Sequence, residues 1–190
     1  MATITRHKIS LETWRAMLEK GILSENDRVE LIEGEIFDMS PIGKLHIATV
    51  IRINQLLTML LAKKAFVSVQ NPLHLPPDSE PEPDIALLKP REDYYASQLP
   101  EAADTFLVIE VADSSLEYDR EVKKPLYAKA GVPCFWLVNL QKFEIEVHTQ
   151  PGRGTYKQIQ LLHPGDEVRL PVPGFHEKIF VSDLLGPKPA

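Results

Sequence analysis

Two stretches, Thr105 to Val111 and Phe135 to Asn139, are apolar at nearly every position. Runs this short do not suit a helix buried on all sides. They fit strands covered on both faces, as in parallel or mixed sheets. Between them a helix is expected from about Asp119 to Gly131, with Gly131-Val132-Pro133 as its stop. Strand, helix and strand in this order read as a parallel, right-handed crossover. That unit commits the chain to an α/β (α+β mixed) class, with a mixed central sheet flanked by helices.

The remaining segments fill in around this unit. Ser10 caps a helix running to Lys20, with Gly21 as its stop and Leu11, Trp14 and Leu18 on one face. Arg28 to Met39 reads as an N-terminal hairpin turning at Glu33-Gly34, a weaker turn pair than Asn-Gly. Gly43 to Lys64 is the strongest helix. Ile47, Val50, Asn54, Leu57 and Leu61 recur at helical spacing, and Ile53, Leu56 and Leu60 broaden the face. Short strands are expected at Phe66 to Gln70, Leu73 to Leu75 and Asp84 to Leu88. Five prolines between Pro72 and Pro83 make that segment a stiff exposed loop. Pro125 conflicts with a straight helix, so the helix either starts near it or kinks. Glu144 to His148 and Tyr156 to Leu162 alternate and form a C-terminal hairpin through Pro151 to Gly154. A strand near Val168 to Leu170 and a helical turn at Ser182 to Leu185 follow. Residues 186–190 read as a frayed tail. The whole, residues 1–190, is expected to be a single domain, long enough to bury a core without disulfides or a structural metal.

Bulk properties exclude several classes. Apolar runs are strand-length, which argues against a membrane span, and Met1 to Lys8 holds no signal-peptide core. The single cysteine, Cys134, excludes an internal disulfide and a cysteine-rich zinc site, and its apolar surroundings suggest a buried structural thiol. A cytoplasmic location follows. The net charge of −6 counts against a protein that coats DNA through a basic stripe. It does not exclude a nuclease, because local charge and a bound metal outweigh the global balance. The pairs Lys63-Lys64 and Lys123-Lys124 resemble ordinary solvated faces. No phosphate-binding glycine loop, His-x-x-x-His helix or Gly-x-Ser-x-Gly elbow is present.

Chemistry concentrates in a few residues. Glu110 ends an apolar strand, where a carboxylate is costly unless it is paired or metal-bound. Asp84 follows Pro83 and is held in extended backbone. Taken together they suit Mg²⁺, which takes one or two carboxylates and keeps several waters. Taken singly, each has a bland reading as an ion-paired or strand-capping residue. Lys123 lies four residues after Asp119, on one helical face with Tyr127. It either forms a surface salt bridge with Asp119 or reaches over the strand ends to orient water and stabilise developing charge. Lys124 competes for that role, and Asp119 either caps the helix or pairs with Lys123. His46 opens the long helix as a cap or packing residue, or else binds phosphate or helps to position water. Glu30 is a supporting acid or an outward polar residue. Asp78, Glu80 and Glu82 are expected on the exposed loop, and Ser114 and Ser115 as turn formers.

With these residues in view, the chain resembles a family of putative restriction endonucleases of the PD-(D/E)XK nuclease superfamily, formerly a domain of unknown function. The resemblance spans nearly the whole chain. It rests on Val29 to Glu35, Met39-Ser40-Pro41 with His46, Gln70 to Leu73 and Glu80 to Asp84. It continues through Val108 to Leu116, Tyr118-Asp119-Arg120, Lys123, Tyr127-Ala128, Gly131 to Pro133 and Trp136 to Val138. The resemblance implies a restriction-endonuclease-like core in which Asp84, Glu110 and the main-chain carbonyl of Val111 bind Mg²⁺ or Mn²⁺. The superfamily lysine normally stands two residues after the second acid, where this chain has Ala112. Within the family its role looks transferred to Lys123. His46 falls where related nucleases place an acid, and Asn139 where an aspartate is common. The implied function is metal-dependent endonucleolytic hydrolysis of DNA phosphodiester bonds. Asp84, Glu110 and Lys123 would act, with His46, Glu30 and Asp119 in support, and a homodimer is expected. The alternative is a catalytically inactive binding or regulatory domain on the same fold. A paired-carboxylate glycosidase would leave Lys123 without a role.

Overall fold

The computed structural model describes residues 6–188. Met1 to Thr5, within the segment considered for a signal peptide, and Pro189-Ala190 of the expected tail lie outside the described residues. A six-stranded sheet has the order β3-β4-β5-β6-β7-β8. Its strands are β3 (Phe66–Val69), β4 (Ile85–Leu88), β5 (Thr105–Ala112), β6 (Cys134–Asn139), β7 (Glu144–Gly152) and β8 (Thr155–Leu162). β5 and β6 are parallel, and the other neighbours are antiparallel. The expected crossover is therefore the middle of the sheet, and the mixed α/β class holds.

Alternate residues of β5 serve two cores. Leu107, Ile109 and Val111 pack with Trp136 and Val138 against helix α2 (Lys44–Leu61) and the short α5 (Val181–Leu185). Val108 and Ala112 face the other way, with Phe135, Leu137, Leu126 and Tyr127. Glu110 shares the parity of the second face, so its carboxylate points toward the helical segment after β5. On α2 the inward stripe is Val50, Ile53, Leu57 and Leu61, whereas Ile47 is exposed and Asn54 only half-buried. The buried face is thus rotated slightly from the expected one, which turns the first turn of α2 toward the strand ends.

That helical segment begins at Leu116, earlier than expected. α3 (Leu116–Tyr118) runs into a π turn at Asp119–Lys123 and then α4 (Lys124–Ala130). The expected start near Pro125 is met by α4, although the helical segment as a whole begins earlier and passes through the π turn rather than a simple kink. The backbone N–H of Lys124 bonds to the carbonyl of Asp119, and this wider turn delivers Pro125 into the first turn of α4, where a missing N–H is tolerated. Gly131 ends the helix with φ of 85°, and Val132 N–H caps the Tyr127 carbonyl.

The N-terminal elements form a separate layer. α1 (Leu11–Glu19) is capped by Ser10, whose Oγ accepts from Thr13 N–H at 3.1 Å. The hairpin β1 (Val29–Ile32) and β2 (Glu35–Asp38) is a two-stranded sheet of its own. Leu31 seals it against Leu11 and Trp14. The proline-rich segment is not exposed as expected. Leu73, Leu75, Ser79 and Glu80 are buried, because the hairpin lies across them and Glu80 N–H bonds the Leu31 carbonyl at 2.7 Å. Leu73 to Leu75 makes isolated bridges, not a strand. Near the C-terminus, β9 (Glu167–Val168) pairs with β10 (Ile179–Phe180), a partner the sequence pattern did not mark. Gly186 to Lys188 carry no helix or strand. No helix among the described residues is long and apolar enough to cross a membrane.

Candidate functional site

The sheet's parallel centre gathers the chemistry. Asp84 stands just before β4 and Glu110 near the end of β5, and antiparallel pairing of these strands brings them together. Asp84 N–H donates to Glu110 Oε2 at 3.3 Å, and Val111 N–H donates to Asp84 Oδ2 at 2.9 Å. His46, in the first turn of α2, places Nε2 3.0 Å from the same Asp84 oxygen. Gln70, just past β3, donates to Asp84 Oδ1 at 3.3 Å.

Lys123 arrives from the π turn. It is only 5% exposed, and its Nζ lies 3.1 Å from Glu110 Oε1 and 3.3 Å from Glu30 Oε2. The surface bridge to Asp119 is not formed. Asp119 is buried and accepts from Ser115 Oγ at 2.6 Å. Lys123 thus corrects the expectation of a solvated lysine pair, since the π turn swings it inward. Lys124 is half-buried and does not line the cleft. Two tyrosines hold the carboxylates flanking Lys123. Tyr127 Oη donates to Glu110 Oε1 at 2.7 Å, and Tyr118 Oη donates to Glu30 Oε1 at 3.1 Å. Glu30 also accepts from Glu82 N–H at 3.2 Å.

Charge follows this geometry. Burial pushes the Asp84 carboxyl up, but the hydrogen bond and charge of His46, aided by Val111 N–H and Lys123, outweigh it and hold Asp84 below the usual carboxylate range. Burial drives Glu110 well up, opposed by Lys123 and reinforced by Asp119, Asp84 and Glu30. Burial also works against the charge of Lys123, but four carboxylates around it keep the ammonium protonated. Burial carries Asp119 up to about 6. Cys134 sits apart, with its thiol pushed by burial up to about 12, as suits an inert structural residue.

These side chains line a cleft of about 70 Å³, room for several water-sized bodies. Among the described residues, no three His, Cys, Asp or Glu side chains are arranged as a metal-holding group. A cation here would therefore rest on two carboxylates, with main-chain and water oxygen completing its shell. That donor set fits Mg²⁺ or Mn²⁺. Asp84 Oδ1 and Glu110 Oε2 each make a single hydrogen bond, of 3.3 Å, and retain lone pairs for such an ion.

Of the residues expected at the site, Asp84, Glu110, Lys123, His46, Glu30 and Asp119 all line this cleft, and Val111 contacts Asp84 through its N–H. Ala112 is buried beside Asn139, leaving no lysine at that position. Asn139 acts locally. Its Oδ1 accepts from the N–H groups of Gln141 and Lys142 and closes the turn into β7. Tyr118, Gln70, Glu82 and Arg28 also border the cleft; the first three fall in stretches that carry the resemblance, but no site role was expected of any of the four. Tyr127 did carry a signal, its place on the Lys123 face. Glu80 and Glu82 are not solvated loop acids: Glu80 pairs with Arg15 at 2.9 Å, and Glu82 lines the cleft.

The family model Uma2, described as a putative restriction endonuclease, matches residues 13–180. No curated protein matches the chain. Its fold is similar to the crystal structure of a putative nuclease belonging to DUF820 from Anabaena variabilis. The two are 19% identical, with a TM-score of 0.74 over 93% of this chain and 97% of the other.

Proposed function

We propose that the chain, which belongs to the Uma2 family of putative restriction endonucleases, is a divalent-metal-dependent endonuclease hydrolysing phosphodiester bonds of DNA. One observation carries the reading: from a helix interrupted by a π turn, a buried lysine meets Glu110 near the end of β5, beside Asp84, and Glu30 of the N-terminal hairpin. Such an interruption is rare and recurs at functional sites.

Asp84 and Glu110 would hold Mg²⁺ or Mn²⁺, with the Val111 carbonyl as a third oxygen. When bound, the ion supplies Lewis acidity toward a phosphoryl oxygen and toward water. The protein's own groups divide the remaining work. His46 keeps Asp84 ionised and fixes its orientation. Tyr127 and Lys123 occupy Glu110 Oε1, which leaves Oε2 toward Asp84. Lys123 stays charged beside the acids, where it can orient a water and stabilise charge that develops at phosphorus. Glu30, itself held by Tyr118 and Glu82 N–H, stops that ammonium from turning away. A cytoplasmic location and a homodimer belong to the same reading, since two-fold pairing would offer one cleft to each strand of a duplex.

Metal titration separates this reading from an inactive domain on the same fold. Calorimetry with Mn²⁺ should show binding that is lost in Asp84→Ala and in Glu110→Ala. Absence of binding to the wild-type protein favours the inactive domain.

A further inference from the structure

We infer that a groove beside the acid cleft holds one unpaired nucleotide next to the phosphodiester being cut, with a phosphate on Arg28 and a base against Leu18 and Ile42. This rests on the nuclease reading and adds a substrate subsite to it. The cleft is lined by Glu30, Glu82, Asp84, Glu110, Asp113 and Asp119, and by only two permanent cations. Lys123 is already paired with Glu110 and Glu30. Arg28 is exposed, and its charge acts on Glu82, whose carboxyl it lowers against the larger effect of burial. Its one side-chain hydrogen bond is long, from Nη2 to the Ser40 carbonyl at 3.4 Å. Its fork of N–H donors matches phosphate.

The root of Arg28 is fixed. It follows the turn Glu25–Asp27 with left-handed backbone, φ of 45°. Its carbonyl accepts from Met39 N–H at 2.9 Å, which ties it to the end of β2. Beyond Arg28 a second groove of about 540 Å³ continues from the cleft and shares Arg28, Met39, Ile42, Gln70 and Glu82 with it. Its lining mixes apolar Trp14, Leu18 and Ile42, the last two exposed, with the carboxylates of Glu80 and Glu82, of which Glu80 is paired with Arg15. This volume lies in the range of small-molecule sites. A guanidinium beside exposed apolar side chains suits a nucleotide: backbone oxygens on the cation, base against Leu18 and Ile42. A base enters only when unstacked, so the groove favours single-stranded or frayed ends over intact duplex.

The test is fluorescence anisotropy of a labelled oligothymidylate in Ca²⁺ over a salt series, with tryptophan emission recorded in parallel. Arg28→Gln and Ile42→Ser should each weaken binding about five- to tenfold. Arg28→Gln should also lower the slope of log affinity against log salt by roughly 0.7, the value for one single-strand phosphate. Trp136 is fully buried in the core, so a change in emission on binding reports Trp14. Melting curves verify that both variants are folded, and Arg28→Lys should restore the salt slope without the full affinity. Wild-type affinity and slope in Arg28→Gln, or equal wild-type affinity for a blunt duplex, would overturn the subsite. Binding is read without cleavage, so an inactive wild-type protein would defeat the nuclease reading and leave the subsite result to stand separately.

Discussion

Lys123 has no alternative to its partners. Its ammonium is buried between Glu110 and Glu30, and both carboxylates lose their counter-charge if it is removed. Breaking one side of a buried ion pair costs more than the pair contributes, because the remaining charge stays desolvated. Lys123→Met should therefore lower the free energy of unfolding by roughly 3 kcal/mol in urea, while Lys124→Met should change it by less than about 0.5 kcal/mol. Similar losses in the two variants would show that Lys123 is not locked as described. The sequence marked Asp84, Glu110 and Lys123 by residue type and strand context. It did not show which groups hold them. Tyr118 and Glu82 enter only because the hairpin folds over the proline-rich segment and because the π turn rotates the helix, and neither event has a local pattern.

Elements obeyed local chemistry where partners were near in sequence. The Glu33-Gly34 turn is one case: both residues have positive φ, 47° and 78°, as primed hairpin turns require. Glutamate suits that backbone poorly, so Glu33→Asn should raise stability by about 0.5 kcal/mol. Gly34→Ala should instead be destabilising by about 1 kcal/mol or more. Its new Cβ would lie 2.8 Å from Lys8 Cβ. Thermal melts of both variants check this, and a stabilising Gly34→Ala would contradict the turn geometry. A second link joins elements far apart in sequence. Arg120 in the π turn pairs with Glu146 on β7, which also bonds His148 Nε2 at 3.1 Å. The His148 hydrogen bond, aided by Arg120 and opposed by burial, lowers the Glu146 carboxyl to about 2. Since the folded value lies below the unfolded one, this stabilisation is complete above about pH 4.5 and fades as pH falls toward 2. After allowance for solvent screening it is on the order of 1 kcal/mol. The stability gap between wild type and Glu146→Gln should close over that acid range, and a gap independent of pH would refute the link.

At the scale of the whole molecule, an acidic chain carries an acidic cleft. The net charge of −6 and six cleft carboxylates repel a polyanion. A divalent cation would then both assemble the site and make it approachable. A ligand present at 100 times its dissociation constant stabilises the state it binds by about 2.7 kcal/mol. Saturating Mn²⁺ should therefore raise the melting temperature of the wild type, and not that of Asp84→Ala or Glu110→Ala. The mixed sheet, the crossover and both hairpins were legible because alternation and strand-length apolar runs are local signals, whereas the full strand order was not read from them. The layering of the N-terminal hairpin, which closes the cleft, was not, because it depends on main-chain bonds between Leu31 and Glu80. Nicking of supercoiled plasmid, with Mg²⁺ or Mn²⁺ and with chelator, tests the central claim most directly. Metal-dependent nicking is expected of the wild type, with a loss of at least about a hundredfold in Asp84→Ala, Glu110→Ala and Lys123→Ala. Equal activity in the wild type and all three variants would contradict the assignment.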